Sequence, residues 1–459
     1  MDQVPVVGID LAVTASSELA VASAGSITAT KVASTPKGLT EGIRRAAGGR
    51  SVAIVVESTA MAWFVAAVAA LRSGVAHTLY RVSGRKSAAL RAFYRSHTKT
   101  DHIDARVLAR MPAVDEQLST FVLPAPAELS LKRLVVGRHK LTTESTRVTN
   151  RIRSLLHWAA PGMVRAAGGG VGAGLMAVLT KWPDLRGLAR ARATSIAATA
   201  RWSLHRAGAV RDAAAEAVAF YDGYVDFADV ALELEVALSQ HRHLGAQIGR
   251  LEERIGSLHA QLYPHDVLLS VPGVGPVVAG VVRAVVGDLS RFANLASLRA
   301  YTGLVPREDS SGEIRRRGRI SKAGPSVLRW ALYLAADVAR QCDPALAELY
   351  RRLMVERGRT HTQAVCAVAS HLVGRIYAVC REGRPYLWRD LEGTTITREQ
   401  AREIAQSLRV DPATRARLRA RVAKGPRTPC ARQPVAPQDV TQPLGDKLIE
   451  AALQVVDRP

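Results

Sequence analysis

Asp101 and Asp104 stand three residues apart at the head of a helix-like run, TKTDHIDARVLARM at 98–111. Acids at a helix start ordinarily cap free N–H groups and suit the positive end of the macrodipole. The pair therefore needs company before it implies chemistry. Asp10 closes the apolar run VPVVGI, and Glu57 closes SVAIVV. A carboxylate that ends a hydrophobic strand is costly if buried without a partner. Two such positions, on strands expected to be neighbours, point to a shared use. Each acid taken alone reads as structural. Together, Asp10, Glu57, Asp101 and Asp104 are four hard oxygen ligands of the kind that suits two Mg²⁺ ions clamping an in-line phosphoryl transfer. His97 and His102 flank the Asp pair, yet no second His or Cys cluster completes a tetrahedral zinc set, so they read as surface or supporting groups.

Two further stretches carry phosphate chemistry. In SVPGVGPVVAGVV (270–282) Gly273 and Gly275 permit a tight hairpin and Pro276 fits the first turn of a helix. Backbone N–H groups at such a start hold phosphate without reading bases, as in a helix-hairpin-helix DNA-binding element. A plain Gly-rich turn between helices is the alternative. The stretch YTGLVPREDSSGEIRRRGRISKAGPSVLRW (301–330) holds Arg307, Arg315, Arg316, Arg317, Arg319, Lys322 and Arg329 against three acids. Ser310 and Ser311 precede Gly312 within it. A serine on a basic, flexible loop fits a nucleophile aided by arginines that stabilise phosphorane-like charge. Ser-Ser-Gly is equally ordinary loop composition.

The whole chain supports a polyanionic partner. Its 459 residues carry 63 Lys and Arg against 40 Asp and Glu, a formal charge of +23. Most of the bases are arginine, whose planar fork matches phosphate. Codon bias explains Arg over Lys but not the excess of base over acid. The four cysteines (Cys342, Cys366, Cys380, Cys430) show no CxxC and fit a reduced cytoplasm. The start lacks a basic leader pattern, and the longest apolar stretch, AMAWFVAAVAAL at 60–71, is too short to span a bilayer. A cytoplasmic, nucleoid-associated protein with no membrane partner is expected.

The elements that must position these residues follow from periodicity. Strands are expected at 4–9, 18–23, 29–33, 51–57 and 75–82, with helices from Pro36, at 60–72 and at 84–95. That is a mixed α/β layer domain over 1–112. Residues 127–158 read as one long helix. The apolar seam Leu244, Ile248, Leu251, Ile255, Leu258, Leu262 ends at Pro264 with heptad spacing. The two suggest an antiparallel coiled-coil arm over 125–265, a dimerisation device or a helix pair packed on its own domain. AAGGGVGAGL at 166–175 reads as a flexible interruption, and 176–225 as helical. Residues 266–390 read as a compact helical domain with a basic loop, and 391–459 as a helical extension with a Pro-rich, disordered tail.

In this order the pieces GID (8–10), VVEST (55–59), KTDHIDARVLA (99–109), VPGVGPVVA (271–279) and YTGLVP…SSG…GRISKAGPSVLR (301–329) resemble the DEDD-type insertion-sequence transposases of the IS-one-ten family. The resemblance covers roughly residues 4–380. It implies a RuvC-like (RNase H-like) domain whose tetrad falls on Asp10, Glu57, Asp101 and Asp104, and a C-terminal transposase domain whose nucleophilic serine falls on Ser311. It also implies a composite site formed across protomers of a dimer or tetramer, donor and target DNA as substrates, and a bridge RNA that guides some members. The segment near 166–225 departs from the family as an insertion, and Ser310 leaves the nucleophile open by one residue. Two rival readings stand beside this one. A RuvC-like nuclease or junction resolvase would use activated water, and a non-enzymatic nucleic-acid scaffold would carry a decayed tetrad.

Overall fold

The computed structural model describes residues 4–12, 16–23, 25–58, 62–94, 101–115, 118, 120–311 and 314–424. Within these, the side chains at 62, 85, 94, 101, 102, 290, 308–311, 314–317, 419 and 421–424 are not described. The expected Pro-rich tail lies outside the described residues. Residues 1–125 and 126–459 form two compact units.

The first unit alternates strand and helix. β1 (Val6–Asp10), β2 (Ser17–Ser23) and β3 (Ser26–Val32) form an antiparallel meander. α1 (Pro36–Ala47), β4 (Val52–Glu57), α2 (Ala62–Ser73), β5 (Ala76–Val82), α3 (Gly84–Tyr94) and α4 (Asp101–Val114) follow. The sheet order is β3-β2-β1-β4-β5, with β4 parallel to both β1 and β5. Thr35 caps α1 through Gly38 N, and Pro36 takes its first turn. Because side chains alternate along a strand, each strand feeds two cores. Val7, Ile9, Leu19, Ile54 and Val56 pack with Leu39 and Ile43 of α1 and with Ala66 and Ala70 of α2. The opposite face takes α4 through Val55, Val107, Leu108, Ala20, Ala105 and Ala109. This mixed five-stranded sheet fits an RNase H-like domain. The unit runs past residue 112, because Thr120 bridges Tyr80 of β5 and Phe121 and Leu123 join the first core.

The second unit is built on two long helices, α5 (Pro126–Ala159) and α11 (Phe227–Leu262). Between them lie α6 (Met163–Ala166), α7 (Ala173–Lys181), α8 (Leu185–Arg190), α9 (Ala193–Ala200) and α10 (Leu204–Phe220). The pairs Arg138–Glu252 and Arg151–Gln240 show that α5 and α11 run antiparallel. Their distal halves and α6–α10 share one core, with Ile152, Leu156, Leu179, Leu188, Val210 and Leu234 inside it. The stretch expected to be a flexible interruption, 166–175, joins α6 to α7 within this packed tip, with Ala167, Val171 and Leu175 buried in its core. Its glycines close the turn between α6 and α7. The proximal halves enter a second core through Leu131, Val135, Ile255 and Leu258.

That second core is completed by α12 (Pro276–Val286), α13 (Leu295–Thr302), α14 (Ser326–Ala339), α15 (Pro344–Arg351) and α16 (His361–Glu382), with a hairpin of β6 (Pro306–Ser311) and β7 (Ile314–Ile320) between α13 and α14 in the chain. α17 (Arg398–Ser407) and α18 (Pro412–Lys424) follow. By length and composition α16 could cross a membrane, which the sequence reading of 60–71 overlooked. Its Val365, Val368, Ala369, Leu372, Val373 and Ile376 are buried in this core, so its apolarity is spent on packing.

Candidate active site

The carboxylates of the first unit are placed by strand ends. Ile9 of β1 is level with Val56 of β4, so Asp10 and Glu57 come next on adjacent parallel strands. They share the face that carries Gly8, Val55 and α4. Glu18 of β2 lies opposite Asp10 on the antiparallel side and is buried. Sequence reasoning missed Glu18 because it opens a strand, where an acid reads as part of the preceding turn.

α4 reaches this face through an unusually close crossing. A Cβ on Gly8 would overlap the carbonyl oxygen of Ala105 and the amide nitrogen of Ala109. Gly8 is therefore the residue that lets the helix backbone lie on the strand. Ala20, Ala105 and Ala109 keep the remaining side chains small. Asp104 directly precedes Ala105, and position 101 lies one turn earlier on the same helix face. Asp104 accepts a hydrogen bond from Arg91 Nη1 at 2.7 Å, and Glu57 accepts one from Ser87 Oγ at 2.7 Å. Ser87 and Arg91 stand four residues apart on α3, so one face of that helix holds two of the four acids.

The donor chemistry fits a hard divalent ion, since Asp10, Glu57 and Asp104 offer only carboxylate oxygens. Among the described residues no three His, Cys, Asp or Glu side chains converge on one point. Asp104 faces Arg91, and the side chain of Asp101 is outside the description.

In the second unit the expected basic loop is a paired ribbon. Ser311 is level with Ile314, Ser310 with Arg315, Asp309 with Arg316 and Glu308 with Arg317, with an irregularity before Glu308. Ser311 is the last residue of β6 and Ile314 the first of β7. A run of β-branched residues was absent, so periodicity gave no strand here. The ribbon is held by backbone pairing between two consecutive polar segments, PREDSS and IRRRGRI, whose composition carries no strand signal.

The root of the ribbon is a clasp. Gly303 ends α13 with φ +68°, and a Cβ on Gly324 would overlap the carbonyl oxygen of Tyr301. Lys322 N donates to Gly303 O at 3.0 Å, Ser321 N to Val305 O at 2.8 Å, and Arg329 Nη1 to Gly324 O at 3.1 Å. Arg329 is thus bound to the clasp itself. Arg319 and Lys322 are exposed. The side chains of Ser310, Ser311 and Arg315–Arg317 are outside the description.

Comparison with known proteins places the same two regions. Residues 265–351 match the model described as "Transposase IS116/IS110/IS902 family", and residues 7–161 match a DEDD transposase model of the IS110 type. The chain is 30% identical over 304 residues to the insertion element IS110 43.6 kDa protein of Streptomyces coelicolor, covering 64% of this chain and 73% of that one. The chain belongs to this family. The IS116 44.8 kDa protein of Streptomyces clavuligerus is 28% identical over 322 residues, covering 66% and 76%. A pilin gene-inverting protein of Moraxella lacunata is 32% identical over 151 residues, 32% of this chain and 47% of that one. Membership makes this a DNA-recombining transposase, with divalent metal use suggested by the DEDD type.

In this transposase the VPGVGP turn is set by packing. Gly273 has φ +76°, and a Cβ there would overlap the carbonyl oxygen of Ala335 on α14. The glycine is accounted for by that close approach. Gly275 is the N-cap of α12, has no side-chain cap, and faces open space. The element preceding the turn is only a 3₁₀ turn, Val267–Ser270, rather than a full helix. Beneath it Asp266 accepts from His259 Nε2 at 2.9 Å, Arg283 Nε at 3.0 Å and Leu268 N at 3.0 Å. Burial alone would raise the Asp266 carboxyl, but the hydrogen bonds from His259 and Arg283 outweigh it and hold it well below the usual carboxylate range.

Proposed function

We propose that this transposase moves an insertion element by metal-dependent strand cleavage and exchange, with Asp10, Glu57, Asp101 and Asp104 as metal ligands and Ser311 as the nucleophile. The observation that carries the reading is the placement of Asp10 and Glu57 at adjacent parallel strand ends, on the face against which α4 packs. A divalent ion held there, two Mg²⁺ in this reading, would stabilise the charge that develops at the scissile phosphate. Ser87 and Arg91 hold Glu57 and Asp104 in place for that task. Ser311 attacks phosphorus through Oγ, the strand's 3′ oxygen leaves, and the phosphodiester energy is kept in a phosphoserine link.

The net charge of +23 supports long contact with nucleic acid. Gly275 at the open start of α12, with Arg315, Arg316, Arg317 and Arg319 on the ribbon, would supply phosphate contacts. A structured non-coding RNA pairing with donor and target DNA is part of the same proposal, as is assembly into a dimer or tetramer at the nucleoid. End-labelled suicide duplexes run on denaturing gels test the chemistry. Wild type should give a covalent protein–DNA adduct that maps to Ser311, and Ser311→Ala should bind DNA without forming one. Free ends with no adduct would instead assign the reaction to metal-activated water, as in a resolvase.

A further inference from the structure

Lys322 is one of two described residues other than glycine with positive φ, at +52°. A side chain in this left-handed region crowds the backbone, so such a position usually goes to glycine or asparagine. Here the neighbouring clasp already uses Gly303 and Gly324 for its close approaches, yet the strained position between them carries lysine. Its backbone N–H is taken by Gly303 O, which fixes the conformation. Its side chain is exposed and pairs with no carboxylate among the described side chains. Nothing in the packing requires a lysine. The ammonium is what the position retains at the expense of backbone comfort.

The surroundings say what an ammonium there would meet. Lys322 follows β7 at the root of the ribbon, where Pro306 is level with Ile320, while Ser311 stands at the tip level with Ile314. Five residues of strand separate root from tip, roughly 17 Å at the usual rise. Arg319 is exposed on the same ribbon, and Arg329, bound into the clasp, stands with Lys322 near Cys366 of α16. The described charged side chains at this root are cations, which makes an anion the fitting occupant.

We propose that Lys322 is a positioning residue for the DNA being cut. Its ammonium holds a single backbone phosphate about five nucleotides from the one that meets Ser311, at about 3.4 Å per nucleotide along a strand. The clasp of Gly303, Gly324 and Arg329 fixes that distance, so the contact sets which phosphate reaches the serine. This inference rests on the recombinase reading for the role of Ser311, but the contact itself is measurable without cleavage.

The test uses the full-length protein and duplexes carrying the element ends. Lys322→Asn keeps a residue that accepts the left-handed backbone and removes the charge, and Lys322→Gly removes the strain as well. The Tm should be unchanged in the first and higher in the second. Both should bind with a log–log salt slope shallower by about 0.9, one phosphate contact. Lys322→Arg should restore the slope. Single methylphosphonate substitutions walked along the strand should show one position, about five nucleotides from the cut, whose neutralisation weakens wild type about tenfold and Lys322→Asn not at all. A wild-type slope in Lys322→Asn, a sensitive position unaffected by that variant, or a fall in Tm in Lys322→Gly would each overturn the proposal. If the Lys322 contact is found but wild type forms no Ser311 adduct, the recombinase reading fails and the positioning contact stands.

Discussion

At the scale of single residues, the carboxylate site depends on contacts that no local pattern reveals. Asp10 and Glu57 were legible because each ends an apolar strand, and register then makes them neighbours. Ser87 and Arg91 were not, since a serine and an arginine on a short helix have no distinguishing spacing until α3 is seen beside Glu57 and Asp104. Their different weights can be measured. In the proposed metal site Glu57→Gln removes a charged ligand and should abolish strand cleavage while DNA binding stays near wild type. Ser87→Ala removes one hydrogen bond to a carboxylate that stays in place. Losing about 1–1.5 kcal/mol of positioning should slow cleavage about tenfold. Single-turnover rates at limiting Mg²⁺ distinguish the two, and an unimpaired Glu57→Gln enzyme would remove Glu57 from the metal site.

At the scale of elements, the boundaries that hydrophobic periodicity controls came through and those set by tertiary contact did not. The run VAIVVE is β4, and the long helix read at 127–158 is α5. The 306–320 ribbon and the strand-like segment at Thr120 pair through partners that sequence spacing cannot specify. The VPGVGP turn is a mixed case, its glycines legible and the Asp266 network beneath it invisible. That network makes a prediction. A carboxylate held down on folding adds stability that is complete above its unfolded value, about 4, and is lost as pH falls. Wild-type stability should therefore drop on acidification below about pH 4 more steeply than that of Asp266→Ala. At neutral pH the variant should be destabilised by roughly 3–5 kcal/mol, because His259 and Arg283 lose a buried partner. Urea unfolding at pH 7 and at pH 3 measures both, and parallel acid profiles would show that Asp266 is not held down in the folded state.

At the scale of the whole chain, hydrophobic residues gather in separate cores rather than one. The sheet of the first unit, the helical tip and the C-terminal helices each bury their own set. α5 and α11 belong to two of them, entering the C-terminal core through Leu131, Val135, Ile255 and Leu258 and the tip core from Val148 and Leu244 outward. Chains with several cores seldom unfold in one step, so calorimetry should resolve more than one transition. The tip can be tested for independence by joining Thr143 to Gly245 through a short glycine-containing turn. Gly137 meets Leu251 and Arg138 meets Glu252, so these two positions lie nearly level on the antiparallel pair. The shortened protein keeps every arm residue of the C-terminal core and discards the tip core whole. It should remain folded and lose one calorimetric transition, with Ser311 adduct formation on element-end duplexes retained. If the remaining transitions broaden or shift down together, the tip core and the C-terminal core are one cooperative body joined through the two long helices.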